Sequence, residues 1–218
     1  MAKQRSSRPG GKAPAKRQAS VAHPLRIIGG DLGGRKIQYS GDPRTRPMKL
    51  RVREAVFNLI GLDVKGTHAI DLFAGTGALG LEAISRGAAS ATFIERHAPS
   101  VRLIRENVAS LGIGDRCEVC FGDTFLWTRQ YPDWSSPSQR PWLVLCAPPY
   151  DFYSVRLEDM LELLRDLHRR APRGSVFVVE ADRRLDFRVL DEFGTWDVRT
   201  YPPAVVGLHK RTDEVDGI

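Results

Sequence analysis

The sequence predicts an open, doubly wound α/β sheet, mostly parallel, on three observations. Short apolar runs near 68–72, 91–95, 117–121, 142–146 and 175–180, with later pieces near 195–211, alternate with helical patterns near 78–87, 98–111 and 155–170. Strands that alternate with helices in this way join through right-handed crossovers and pair in parallel. Residues Ala69–Gly80 read AIDLFAGTGALG, a strand running through a glycine turn into a helix. Trp142–Cys146 reads WLVLC, a continuous apolar run suited to a strand covered on both faces, and it ends in Ala147-Pro148-Pro149-Tyr150.

Taken in chain order, the first element is a charged arm. Residues 1–26 contain seven Lys/Arg and no acid, while the rest balances 26 basic against 26 acidic side chains, so the net charge of +7 comes from the first 26. Residues 1–24 are also rich in Ser, Pro, Gly, Ala and Gln and are expected to form a disordered basic arm suited to RNA phosphate. The lack of acids fits a transit peptide too, but the arm carries no clear amphipathic stripe. The 218-residue chain is long enough for one α/β domain, expected over 25–211 with a tail at 212–218. Within it, 25–61 form an N-terminal extension. Leu25–Gln38 reads as a β-hairpin around Gly29–Gly34, and Met48–Ile60 as a helix with apolar Leu50, Val52, Val56, Phe57 and Ile60. Arg46, Arg51 and Arg53 lie in or before that helix and fit either a solvated face or one turned to RNA. Residues 129–141 (RQYPDWSSPSQRP) read as a surface loop.

Some chemistries are disfavoured. No apolar run approaches a membrane span. Cys117 and Cys120 stand three apart on a predicted strand and so face opposite sides, and no second CxxC or His pair completes a zinc site. With Cys146 they are expected to be reduced, buried thiols of a cytoplasmic protein, with no metal.

The glycine turn has the look of a nucleotide-cofactor loop. Glycines let the backbone approach a ligand, and the helix that follows offers free N–H groups. Gly75-x-Gly77-x-x-Gly80, with Glu95 twenty residues past Gly75, also fits a dinucleotide fingerprint, so NAD competes. Asp71 tips the balance. A carboxylate at this strand end would repel a pyrophosphate but suits S-adenosylmethionine, which has an ammonium and a sulfonium. Asp71 also fits a helix or turn cap. Asp123, after the run Cys117–Gly122, suits an adenine amino group or an N-cap for Thr124–Gln130.

At the second strand end, Pro148 and Pro149 remove two N–H donors, so carbonyls there can point outward as acceptors. An exocyclic base amine needs such acceptors while its nitrogen attacks a sulfonium methyl. Tyr150 offers a face for a stacked base, worth about 1–3 kcal/mol.

Together these segments resemble the RsmD-type methyltransferases, which modify a guanine N2 of small-subunit ribosomal RNA, over roughly residues 25–211. Arg26-Ile27-Ile28-Gly29-Gly30 with Gly34-Arg35-Lys36 resembles that family's N-terminal hairpin. Thr45-Arg46-Pro47 through Arg51-Val52-Arg53-Glu54-Ala55-Val56-Phe57-Asn58 resembles its RPT…RVREALFN segment, the most specific signal, and Asp71–Ala83 its cofactor loop. The resemblance implies a Rossmann-like fold dependent on S-adenosylmethionine, with an N-terminal β-hairpin extension. It implies methyl transfer to guanine N2, on naked RNA or on the assembling small subunit. Asp71, Phe73, Gly75, Gly77, Glu95 and Asp123 would then hold the cofactor, Ala147, Pro148, Pro149 and Tyr150 the target amine, and Arg26, Arg35, Lys36, Arg46, Arg51 and Arg53 the RNA.

Two positions depart from the family pattern. Met48 stands where Thr is usual, and Ala147 where Asp or Asn is usual. A preorganised polar group such as the second is typically worth about 3–4 kcal/mol, or roughly 10²–10³ in rate. The Pro148 carbonyl or another residue such as Asp151 can stand in for it. The rival readings are a catalytically weak or silent RNA-binding or ribosome-assembly protein, a methyltransferase of another nucleic-acid amine such as adenine N6 in DNA, and, distantly, an NAD oxidoreductase.

Overall fold

The computed structural model describes residues 25–41, 47–130 and 140–212, so the expected arm, Arg46, residues 131–139 of the expected loop and 213–218 of the expected tail lie outside the described residues. Seven strands form one sheet: β1 (His68–Asp71), β2 (Ser90–Glu95), β3 (Cys117–Phe121), β4 (Trp142–Cys146), β5 (Val176–Asp182), β6 (Asp197–Tyr201) and β7 (Ala204–Lys210). Their order is β3-β2-β1-β4-β5-β7-β6. Strands β1 to β5 pair in parallel, and β7 runs antiparallel to both neighbours. The mostly parallel, doubly wound sheet expected from the sequence is the one found, and the late pieces near 195–211 are its antiparallel edge.

The strand order reverses between β1 and β4, where the register sets Asp71 beside Leu145. The glycine turn after β1 and the Ala147–Tyr150 segment after β4 therefore leave the sheet side by side, at the kind of switch point where open α/β sheets bind ligands.

Among the described residues six α-helices cover the sheet: α1 (Leu50–Ile60), α2 (Ala78–Ser85), α3 (Ala98–Leu111), α4 (Thr124–Gln130), α5 (Phe152–Val155) and α6 (Leu157–Arg170). Strand residues alternate between two cores. Ala69, Leu143, Leu145, Val176 and Val178 pack with the N-terminal extension and helices α1 to α3. Ile70, Val144, Cys146, Phe177 and Val179 pack with α4 to α6. The sequence expects one helix over 155–170; the chain instead breaks at Arg156 (φ −138°, ψ 31°) into α5 and α6.

The expected hairpin at 25–38 forms as a loose antiparallel pair with one bridge, Arg26 opposite Lys36, rather than as two strands. It is anchored through α2 and α3 instead. Glu82 is fully buried, and its carboxylate accepts from the backbone N–H of Ile28 (2.7 Å) and Gly29 (2.9 Å). Asn107 accepts from Gln38 N and donates to Gln38 O, each at 2.9 Å. Gly30 (φ +74°) lies so close to Ser85 O that a Cβ there would overlap it.

Candidate active site

A cavity of about 660 Å³ opens at the carboxyl ends of β1, β2, β4 and β5. Its first half is the glycine turn. Gly75 lies in the left-handed region (φ +53°) and lines the cavity. Its N–H donates to Glu95 Oε2 (2.7 Å), and His97 N–H donates to Glu95 Oε1 (2.7 Å). Each carboxylate oxygen keeps further acceptor capacity. Phe73, Phe125 and Phe152 form the apolar wall, with ring centroids about 6 Å apart in edge and tilted contacts.

Two cofactor-loop expectations are revised by the geometry. Gly77 (φ +75°) does not line the cavity; a Cβ there would lie 3.1 Å from Ile104, so this glycine serves close packing. Asp71 is buried, lies off the cavity wall, and accepts from Gly80 N–H at 3.0 Å. Burial, with a smaller push from Glu95, raises its pKa to about 7. A buried side chain off the cavity wall does not meet a cationic ligand directly; Asp71 holds the first turn of α2, the capping alternative. Asp123 lines the cavity, and its Oδ1 caps α4 through Phe125 N–H (2.9 Å), the N-cap role considered for it.

The second half is the end of β4. Ala147, Pro148, Pro149 and Tyr150 all line the cavity. Met48, the other departure, lines it as well. Asp151 is exposed and absent from the cavity wall, so it is no substitute for a side chain at 147. The acid that is present is Glu180 of β5, which sequence reasoning missed. It is buried, and it accepts the Tyr150 hydroxyl at 2.9 Å. Burial raises its pKa, partly offset by that bond. A signal existed: Glu180 follows the apolar run Val176–Val179 at a strand's carboxyl end, where a buried acid needs a reason.

Of the residues expected to face RNA, Arg26, Arg35, Lys36 and Arg51 are exposed. Arg53 is not: its side chain is fully buried, its Nε lies 3.7 Å from Glu82, and its Nη2 donates to the Arg26 carbonyl. The reason is helical spacing. Arg53 stands three, four and seven residues before Val56, Phe57 and Ile60, on the stripe that α1 buries. It joins the extension to α2 and contacts no solvent.

Cys117 packs with one core and Cys120 with the other, as opposite faces of a strand require; both are half-buried and only Cys146 is buried. Burial raises the thiol pKa to about 11 for the first two and about 12 for Cys146. Among the described residues, no cluster of His, Cys, Asp and Glu is arranged to hold a metal, and no helix is long and apolar enough to cross a membrane.

Comparison with known proteins gives a consistent result. A family model described as Conserved hypothetical protein 95 matches residues 25–207. The chain is 44% identical over 154 residues to Ribosomal RNA small subunit methyltransferase D of Escherichia coli (strain K12), spanning 71% of this chain and 73% of that protein. It is 34% identical over 99 residues to Putative rRNA methyltransferase YlbH of Bacillus subtilis (strain 168), spanning 45% and 54%. Among solved structures, the putative methyltransferase yhhF from Escherichia coli superposes with a TM-score of 0.68 at 28% identity, covering 87% of this chain and 99% of that one.

Proposed function

Because the chain belongs to the family of ribosomal RNA small subunit methyltransferase D, we propose that it transfers a methyl group from S-adenosylmethionine to the exocyclic N2 of a guanine in small-subunit ribosomal RNA. The observation that carries the reading is the single cavity joining the Glu95-anchored glycine turn to the Ala147–Tyr150 strand end. Bound there, S-adenosylmethionine supplies an electrophilic methyl on a sulfonium.

The residues present fit such a ligand. Glu95 holds Gly75 and His97 and keeps lone pairs for ribose hydroxyls. A Cβ on Gly75 would meet nothing nearer than 3.9 Å, so the turn is open on that side for a ligand to approach. Phe73, with Phe125 and Phe152, gives an adenine an apolar wall, and Asp123 stands beside it at the mouth of α4. On the RNA side, Tyr150 supplies a ring for the target base, which must leave its stack because the N2 lone pair points out of the ring plane, where stacked neighbours cover it. Exposed Arg26, Arg35, Lys36 and Arg51, together with Arg46 and the basic residues 1–24, supply phosphate contacts, and the assembling small subunit in the cytoplasm supplies the substrate.

Mass spectrometry of methylguanine in small-subunit RNA, from cells with and without this protein, tests the reading. One N2-methylguanine is expected to vanish without the protein and return with it. Unchanged methylguanine sinks the enzyme reading. Ala147 favours a second one, a silent RNA-binding protein of the same fold, which that null result together with retained RNA binding supports.

A further inference from the structure

We infer that Glu180 replaces the missing side chain at position 147: its carboxylate accepts the target amine's hydrogen and takes its proton during methyl transfer. The inference rests on the functional reading above.

Register carries the argument. Cys146 of β4 pairs with Val179 of β5, so the next residues along, Ala147 and Glu180, stand level on adjacent strands. They also share a face. Cys146 and Val179 belong to the core under α4 to α6, and side chains alternate along a strand, which turns both following residues to the other side. Ala147 does pack against that other core. Neighbouring strands lie about 4.8 Å apart, so a longer side chain at 180 reaches the space that a short acid at 147 would occupy. Both residues line the cavity.

The other acids of the cavity are committed elsewhere. Glu95 receives two backbone N–H groups of the cofactor half, and Asp123 caps α4. Pro148 and Pro149 offer carbonyls but no group that takes a proton. Glu180 Oε1 receives the Tyr150 hydroxyl, and Oε2 has no hydrogen-bond donor among the described residues. That bond couples the acid to the ring on which the base stacks. Burial makes this carboxylate a stronger base than one in water.

The step balances. The amine nitrogen's lone pair forms the bond to the methyl carbon. The carbon–sulfur bond breaks and its electron pair returns to sulfur, leaving a neutral thioether. The nitrogen, now cationic, gives one of its two protons to the Glu180 carboxylate, which passes it to water at the cavity mouth.

The test is single-turnover methylation of small-subunit particles with saturating S-adenosylmethionine. Glu180→Gln keeps an acceptor for the Tyr150 hydroxyl but cannot take the proton. We expect a rate loss of roughly a hundredfold or more, within the range for a preorganised polar group, with S-adenosylmethionine affinity by calorimetry within about threefold of wild type. Tyr150→Phe keeps the ring and loses only the bond to Glu180, and is expected to lose several-fold less. Ala147→Asp in the Glu180→Gln background moves the carboxylate to the adjacent strand and is expected to recover at least about tenfold. A Glu180→Gln rate within twofold of wild type, a Tyr150→Phe loss equal to that of Glu180→Gln, or no recovery in the double variant each overturns the inference. A wild type that binds S-adenosylmethionine but methylates no guanine N2 overturns the functional reading itself, and leaves Glu180 no amine to serve.

Discussion

The two halves of the cavity are built by different means. The frame of the cofactor half comes from one contiguous stretch, β1, the glycine turn, α2 and β2, tied by Gly75 to Glu95 and by Asp71 to Gly80, with Asp123, Phe125 and Phe152 added from later in the chain. The amine half comes from the ends of β4 and β5, the approach to α1 and the β6–β7 corner, and a side-chain tie, Tyr150 to Glu180, crosses from one strand end to the next. The first half obeys short-range rules, so a change there breaks a local device. The second depends on which strands lie side by side, so a polar group lost from one strand can be supplied by its neighbour without disturbing the first half.

The largest expected effect lies in the cofactor half. A Cβ on Gly80 would lie 2.3 Å from the Phe93 ring, inside the contact between α2 and β2. Gly80→Val is expected to cost at least about 3 kcal/mol, the upper end for overpacking, and to lower Tm by roughly 6–12 °C for a domain of this size. Pro149→Ala, at the amine half, should move Tm by less than a third of that. Thermal melts followed by circular dichroism decide it. Equal shifts would mean that the two halves do not differ in rigidity.

The next effect concerns charge. Each half holds one buried carboxyl with a raised pKa, Asp71 at about 7 and Glu180. An acid whose folded pKa is raised binds its proton more tightly in the native state. Between about pH 4, where the unfolded carboxyl titrates, and about pH 7, stability therefore falls as pH rises, then levels off. Asp71→Asn keeps an acceptor for Gly80 N–H and does not titrate. It should flatten much of the fall, leaving the part that Glu180 contributes. Urea unfolding at pH 5 and pH 8 measures this. An unchanged difference between the two pH values would show that Asp71 is ionised and stabilised by something other than Gly80.

The same contrast explains what could be read in advance. Strand positions, the sheet's parallel character and the placement of Gly75 and Glu95 at the strand ends followed from patterns a few residues long, which local physics enforces. Arg53 was misjudged because its charge was weighed over its spacing, though the i+3, i+4 and i+7 apolar partners were visible. Its partner Glu82 is buried under the N-terminal extension, where Ile28–Gly29 and Arg53 come to it from more than 25 residues away, and only Arg86, one turn along α2, is a local partner. Glu180 was legible only as an acid ending an apolar strand, for a related reason. Its importance comes from lying level with Ala147, and that register is set by the order β4-β5, which a sequence read one segment at a time does not contain.

The smallest effect is the most direct separation of the two halves. Glu95 and Tyr150 line the same cavity, one tied to the glycine turn and one to β5. Glu95→Ala removes the acceptor of Gly75 and His97 N–H and the group offered to ribose hydroxyls. Hydrogen bonds to a charged group are worth about 1.5–3 kcal/mol, so S-adenosylmethionine affinity by calorimetry should fall about tenfold to a hundredfold. RNA affinity, measured without the methyl donor, should be unchanged within about twofold. Tyr150→Ala should do the reverse. It removes a stacking face worth about 1–3 kcal/mol, so it weakens binding to small-subunit RNA and leaves S-adenosylmethionine affinity within about threefold. A Tyr150→Ala variant that loses S-adenosylmethionine as strongly as Glu95→Ala would show that the cofactor extends across both halves. The base would then have to enter from the side of Met48 and Lys49 rather than over the β4 end.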